Sequence, residues 1–173
     1  IYTLSLHDAL PIYIPGDEGF WKMNPPLRGL ADRQALIDGL LDGTIDCIAT
    51  DHAPHGLEEK QQSFLNAPFG IVGSETAFQL IYTNFVETGI FTLEQVIDWM
   101  AVKPAEIFGL NAGTLTIGAP ADIAVFDLAT AAPIDAEAFE SMAVNTPFTG
   151  WTVKGKTLMT FVDGALAWSE EAQ

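Results

Sequence analysis

Apolar positions along this chain change their period several times, and each change marks an element. Over "LADRQALIDGLLDG" (30–43) they recur at helical spacing. Leu36, Ile37, Leu40 and Leu41 share one face, Asp32 is placed as an N-cap and Gly43 as a stop. "TIDCIAT" (44–50) is short and nearly all apolar, which predicts a strand buried on both faces, as in parallel sheets. After a polar loop the helical period returns. Ser74 is placed to cap a helix with Ala77, Phe78, Ile81 and Phe85 inward and Gly89 as terminator. Thr92 and Gln95 have capping-box spacing for the next helix, "LEQVIDWMAV". Pro104 predicts a break and a short further helix to Gly109.

Near residue 111 the pattern turns strand-like. "GTLTIGAPADIAVFDL" and "GWTVKGKTLMTFVDGALAW" are rich in Val, Thr and aromatics, and Asp163-Gly164 predicts a type I′ hairpin turn. The order of elements predicts an α/β fold: the end of a barrel, then part of a small β-sandwich. Composition narrows the function. The chain is 49% hydrophobic and 17% charged, which is globular, and 23 acids against 7 bases give a net charge of −16. Such a surface repels phosphate backbones and anionic membranes, so neither nucleic acid nor membrane is the expected partner. The single cysteine, Cys47, lies in an apolar run and excludes an internal disulfide. With no apolar stretch of ~20 residues and no basic start of a signal peptide, the expected location is cytoplasmic.

The densest polar spot is "IATDHAPHG" (48–56), at the C-terminal end of the predicted strand. Catalytic groups gather at such ends in α/β proteins. Asp51 there has the chemistry to ligate a divalent metal and to carry a proton, and it equally fits a loop or capping role. Pro54 stiffens the turn that aims His55, which suits an anionic substrate, a metal or a plain loop. A zinc site needs about three protein ligands, and beyond this stretch the chain has only His7 as a further histidine. In "KMNPPLR" (22–28) the prolines stiffen the backbone at Asn24, and Arg28 could grip a carboxylate. In "APFG" (67–70), Gly70 beside Phe69 would let backbone N–H groups approach a ligand. A rigid loop explains either motif taken alone.

Together the motifs resemble the bacterial zinc-dependent dihydroorotases of the amidohydrolase superfamily. The likeness runs from Ile14 onward through "IPGDEGFWKMNPPLR", "LLDGTIDCIATDHAPH", "EEK", "APFGIVGSETAFQLIYT", "KPAEIFGL", "GAPADIAVFDL" and "NTPFTGWTVKG". It implies a (β/α)8 barrel with an accompanying β-sandwich, here its C-terminal part. Residues 13–110 would be barrel and 111–173 sandwich. It implies reversible cyclisation of N-carbamoyl-L-aspartate to L-dihydroorotate in pyrimidine biosynthesis, with one or two zinc ions. Asp51 would be metal ligand and proton carrier, while Asn24, His55, Phe69 and Gly70 would hold the substrate. A homodimer, or assembly with another pyrimidine enzyme, would be compatible. Hydantoinases and allantoinases share the barrel but generally lack the equivalents of Asn24 and His55. Gln79 and Met142 depart from the family's more usual Pro and Lys, away from these residues.

The family's HxHxR motif and its remaining metal ligands lie upstream of the matching segment. The chain instead opens with "IYTLSLHDALPI" (1–12), which resembles a translated sequencing-library adapter. The expectation is therefore a dihydroorotase fragment, inactive alone, in which His7 and Asp8 have no role. The alternatives are a non-catalytic dihydroorotase-like assembly partner, or a cyclic amidohydrolase acting on another ring.

Overall fold

The structure, a computed structural model, describes residues 3–5, 10 and 16–172. His7, Asp8 and most of the opening stretch lie outside the described residues. The chain divides into two compact units, Tyr2–Phe78 with Pro133–Thr152, and Gln79–Ala132 with Val153–Gln173 and Ile1.

In the first unit, Thr3–Ser5 (β1) lies parallel to Cys47–Ala49 (β2), with Leu4 opposite Ile48. Thus part of the stretch set aside on sequence grounds occupies an edge of β2. Between them runs the helix Leu30–Leu41 (α1). It starts three residues earlier than the pattern predicts. Extended Gly29 is the N-cap, and Asp32 sits in the first turn, where a carboxylate suits the positive helix end. Ile37 and Leu40 are buried, Leu36 is half-buried and Leu41 is exposed, so the inward stripe is narrower than expected. Gly39 explains how the chain returns to β2: a side chain there would meet Ile45 at 3.0 Å, and Ile45 N donates to Gly39 O at 2.8 Å. Leu57–Lys60 (α2) is a single turn begun by Glu59, whose Oε2 accepts from Gly56 N at 3.1 Å. The core of this unit includes Met23, Ile37, Leu40, Cys47, Ile71, Val72 and Phe148.

The helix Ala77–Ile81 (α3) opens into a π-helical turn, Tyr82–Val86. Ser74 does not cap it; the N–H groups of Gly73 and Ser74 go instead to the His52 ring. In the second unit, Thr92 and Gln95 close the expected capping box, at 3.2 and 2.8 Å, to start Leu93–Ile97 (α4). The predicted break at Pro104 is absent. A π turn over Asp98–Val102 runs directly into Lys103–Phe108 (α5), with helical angles at Val102 and Lys103. Widening the turn ahead of Pro104 fits a residue that has no N–H to give. Gly109, at φ +64°, ends the run. Phe85 stacks on Phe91 at 4.9 Å, and Trp99 meets Phe91 edge-on at 5.0 Å.

The same unit carries an antiparallel sheet, Ile123–Asp127 (β3), Lys156–Val162 (β4) and Ala165–Ser169 (β5), with β4 in the middle. Asp163 and Gly164 take φ +49° and +77°, the left-handed pair a type I′ turn requires. No helix among the described residues is long and apolar enough to cross a membrane.

Candidate functional site

Every residue singled out from the sequence for a site lies in the first unit. β2 ends at Ala49, and two residues later Asp51 takes φ +50°, a left-handed conformation Asp tolerates better than most residues. Its carboxylate is exposed and makes no hydrogen bond to a described residue. The turn is held from behind. His52 pairs with Ile71, Ala53 N donates to Ile71 O at 2.8 Å, and a side chain on Gly73 would stand 2.7 Å from Thr50 O. His52 Nδ1 accepts from Gly73 N at 3.1 Å and Ser74 N at 3.3 Å. Because backbone N–H can only donate, this nitrogen is the unprotonated one and His52 is a structural cap.

His55 is fixed at both ends. Its N–H donates to Asn145 Oδ1 at 3.0 Å, and its Nε2 lies 2.7 Å from Phe69 O. A carbonyl only accepts, so Nε2 carries a proton and Nδ1 is left for other partners. The structure thus brings together His55, Phe69 and Gly70, which the sequence separates by 14 residues. Gly70 has φ +112°, and a side chain there would lie 2.4 Å from Ala53 Cβ and 3.5 Å from His55 Nε2. Its N–H is already committed to Lys22 O at 2.9 Å. What Gly70 contributes is therefore its missing side chain rather than a free donor. Phe69 is exposed, with the Lys22 ammonium 4.6 Å from its ring centre.

Asn24 follows two residues after that Lys22 carbonyl, is exposed, and precedes a cis peptide bond to Pro25. Arg28 is exposed and makes no hydrogen bond or ion pair with a described residue. The residues that bind the loops to one another are two that sequence reasoning missed. Lys60 is 0% exposed, and its Nζ donates to Lys22 O at 3.2 Å, Pro68 O at 3.0 Å and Gly70 O at 2.8 Å. Three acceptors match the three N–H bonds of an ammonium. Burial, with the nearby Lys22 charge as a smaller cause, pushes Lys60 down to about 8. It therefore remains protonated at neutral pH. Asn145, also 0% exposed, donates from Nδ2 to Ala53 O at 3.0 Å and Gly70 O at 3.3 Å, and its carbonyl accepts from Val72 N at 3.1 Å. Both residues sit inside quoted motifs, "EEK" and "NTPF", yet a lysine on a helical turn and an asparagine before Thr-Pro read as surface features.

Among the described residues no group of three His, Cys, Asp or Glu could hold a metal ion. His52 Nδ1 is taken by backbone N–H groups, which leaves the Asp51 carboxylate and His55 Nδ1 uncommitted. One carboxylate and one imidazole nitrogen fall short of the three or so protein ligands of a catalytic zinc, so these residues do not form a metal centre by themselves.

The amidohydrolase family model matches residues 27–167. The chain is 61% identical over 157 residues to the dihydroorotase of Bacillus caldolyticus and 57% identical over 159 residues to that of Ligilactobacillus salivarius. Each match takes in 91% of this chain and 37% of the relative, so the chain spans little more than a third of the length of these curated proteins. Among solved structures it is similar to L-hydantoinase (dihydropyrimidinase) from Arthrobacter aurescens, with TM-score 0.79 and 33% identity over 86% of this chain and 34% of that one. D-hydantoinase (dihydropyrimidinase) from a Thermus species gives TM-score 0.79 and 29% identity over 88% and 34%. The fold read from the sequence, part of an amidohydrolase barrel with part of a β-sandwich, is borne out.

Proposed function

This chain belongs to the amidohydrolase family, and on that premise we propose that the whole protein carrying it is a dihydroorotase. It would act in the cytoplasm on a small molecule, interconverting N-carbamoyl-L-aspartate and L-dihydroorotate by making and breaking a cyclic amide C–N bond. The observation that carries this reading is a gap in similarity. The dihydroorotases stand at 57–61% identity, whereas hydantoinases of the same fold stand at 22–33%.

The site residues divide the work by their chemistry. Asp51, exposed two residues past the end of β2, would be the proton carrier to the ring amide nitrogen and would be one ligand of a centre of one or two zinc ions. The family places the other ligands upstream of the segment matched here. His55, its Nε2 proton spent on Phe69 O, presents its remaining nitrogen to a substrate carboxylate when protonated, and Asn24 adds amide donors. Phe69 and Gly70 leave room for the ring, since any side chain at Gly70 would meet Ala53 Cβ at 2.4 Å, in the turn that leads to His55. Residues 13–110 are assigned to the barrel and 111–173 to the sandwich.

The test is an exchange. The matching 157 residues of the Bacillus caldolyticus enzyme are replaced by those of this chain. Dihydroorotate hydrolysis within about tenfold of the unexchanged enzyme is expected, with loss of about a thousandfold or more on Asp51→Asn. A folded hybrid that hydrolyses hydantoin or dihydropyrimidine rings and leaves dihydroorotate untouched would overturn the proposal in favour of the hydantoinase reading.

A further inference from the structure

The proposed substrate contacts sit on three backbone segments, and Lys60 ties two of them together. Among the described residues of the first unit its ammonium is the fully buried charge, and it is met by carbonyl oxygens and no carboxylate. Those oxygens belong to Lys22, two residues before Asn24, and to Pro68 and Gly70, on either side of Phe69. The Lys22 carbonyl also accepts from Gly70 N, so the same oxygen receives both the lysine and the glycine. Met23, between Lys22 and Asn24, is 2% exposed, which leaves little freedom to relay. Asn145 grips Gly70 O from a different direction at 3.3 Å. Burying a charge against carbonyls alone is costly. A lysine kept there at such expense has a task that packing does not explain.

We propose that Lys60 is a positioning residue for substrate binding: it locks the segment carrying Asn24 to the segment carrying Phe69 and Gly70. This rests on the dihydroorotase reading for its substrate, but the lock itself is a property of the backbone and can be measured without one. Lys60 touches neither substrate nor reacting atoms. Its loss should therefore loosen the grip on substrate and spare the chemical step once substrate is seated.

The experiment uses the full-length hybrid described above, with Lys60→Met compared to the unsubstituted hybrid. Hydrogen exchange at the Gly70 amide, corrected for intrinsic rates, reads the lock directly, and steady-state kinetics on dihydroorotate read its consequence. Exchange faster by about tenfold or more, with KM raised about tenfold and kcat within about threefold, is expected. Melting temperature is followed in parallel, so that unfolding is separated from loosening. A folded Lys60→Met hybrid whose Gly70 exchange and KM are both unchanged overturns the proposal, as does an equal fall in kcat and kcat/KM with KM unmoved. Should Lys60→Met fail to fold, Lys60→Arg, which keeps charge and donors, must restore Gly70 protection and KM together; recovery of the fold with neither also overturns it. If the unsubstituted hybrid has no dihydroorotase activity, the functional reading fails, while the exchange measurement still decides the lock.

Discussion

The two units are held by opposite means. In the unit of Gln79–Ala132 with Val153–Gln173, the interior is built from rings, Phe85 on Phe91 and Phe91 against Trp99, and the sheet from a backbone ladder. In the unit that carries Asp51 and His55, Lys60 and Asn145 reach from the interior to backbone carbonyls and amides that no ladder pairs. Rings are interchangeable with other apolar groups of similar volume. A buried ammonium or amide is not, because Pro68 O loses its hydrogen bond when Lys60 goes and Ala53 O loses its own when Asn145 goes. The contrast teaches where shape is forgiving and where hydrogen-bond chemistry is not.

Substitution at the centre of each unit breaks the comparison most directly. Phe85→Ala should lose about 3–5 kcal/mol in urea unfolding, the cost of a large cavity, and Phe85→Leu only a part of that. Asn145→Leu keeps volume and should still cost about 3 kcal/mol, because His55 N and Ala53 O lose their partner while Gly70 O keeps only Lys60. If Asn145→Leu unfolds as mildly as Phe85→Leu, the two units are held alike and the contrast fails.

A pH series sharpens the polar half. Lys60 sits at about 8 when folded and near its ordinary 10.5 when unfolded; Lys22 is the charge that faces it across the loops, and Glu58 and Glu59 share its helical turn. Between those values the unfolded chain binds a proton that the folded chain has released. Unfolding free energy should therefore rise with pH across that window, by about 2 kcal/mol at pH 9.5, and show no such slope below pH 7. Lys60→Met should flatten the rise, as read by denaturant midpoints at each pH. The smallest effect belongs to the ladder: Gly164→Ala, at φ +77°, should cost about 1 kcal/mol by thermal unfolding.

What could be read from the sequence follows the same division. The capping box at Thr92 and the Asp163-Gly164 turn were legible because residues a few positions apart determine them. The continuous helix through Pro104 was not, because the compensating π turn leaves no mark on the apolar period. Asp51 and His55 stood out as chemistry at a strand end. Their supports did not, since His55 N finds its partner 90 residues away and Lys60 finds its partners 38, 8 and 10 residues away. Local pattern reports which groups are polar. Only the fold reports which of them it turns inward.

The left-handed backbone at Asp51 has a consequence for anyone who would improve this protein. Glycine occupies that conformation without strain, whereas a residue with a side chain gives up about 1 kcal/mol or more, and glycine's extra freedom when unfolded offsets a similar amount. Asp51→Gly should leave the fold about as stable as before. Selecting a library for expression and folding alone would let that variant through, while selecting for turnover would discard it. Under the proposed role, the carboxylate there is maintained by function, and a thermostability campaign blind to function would erode it first.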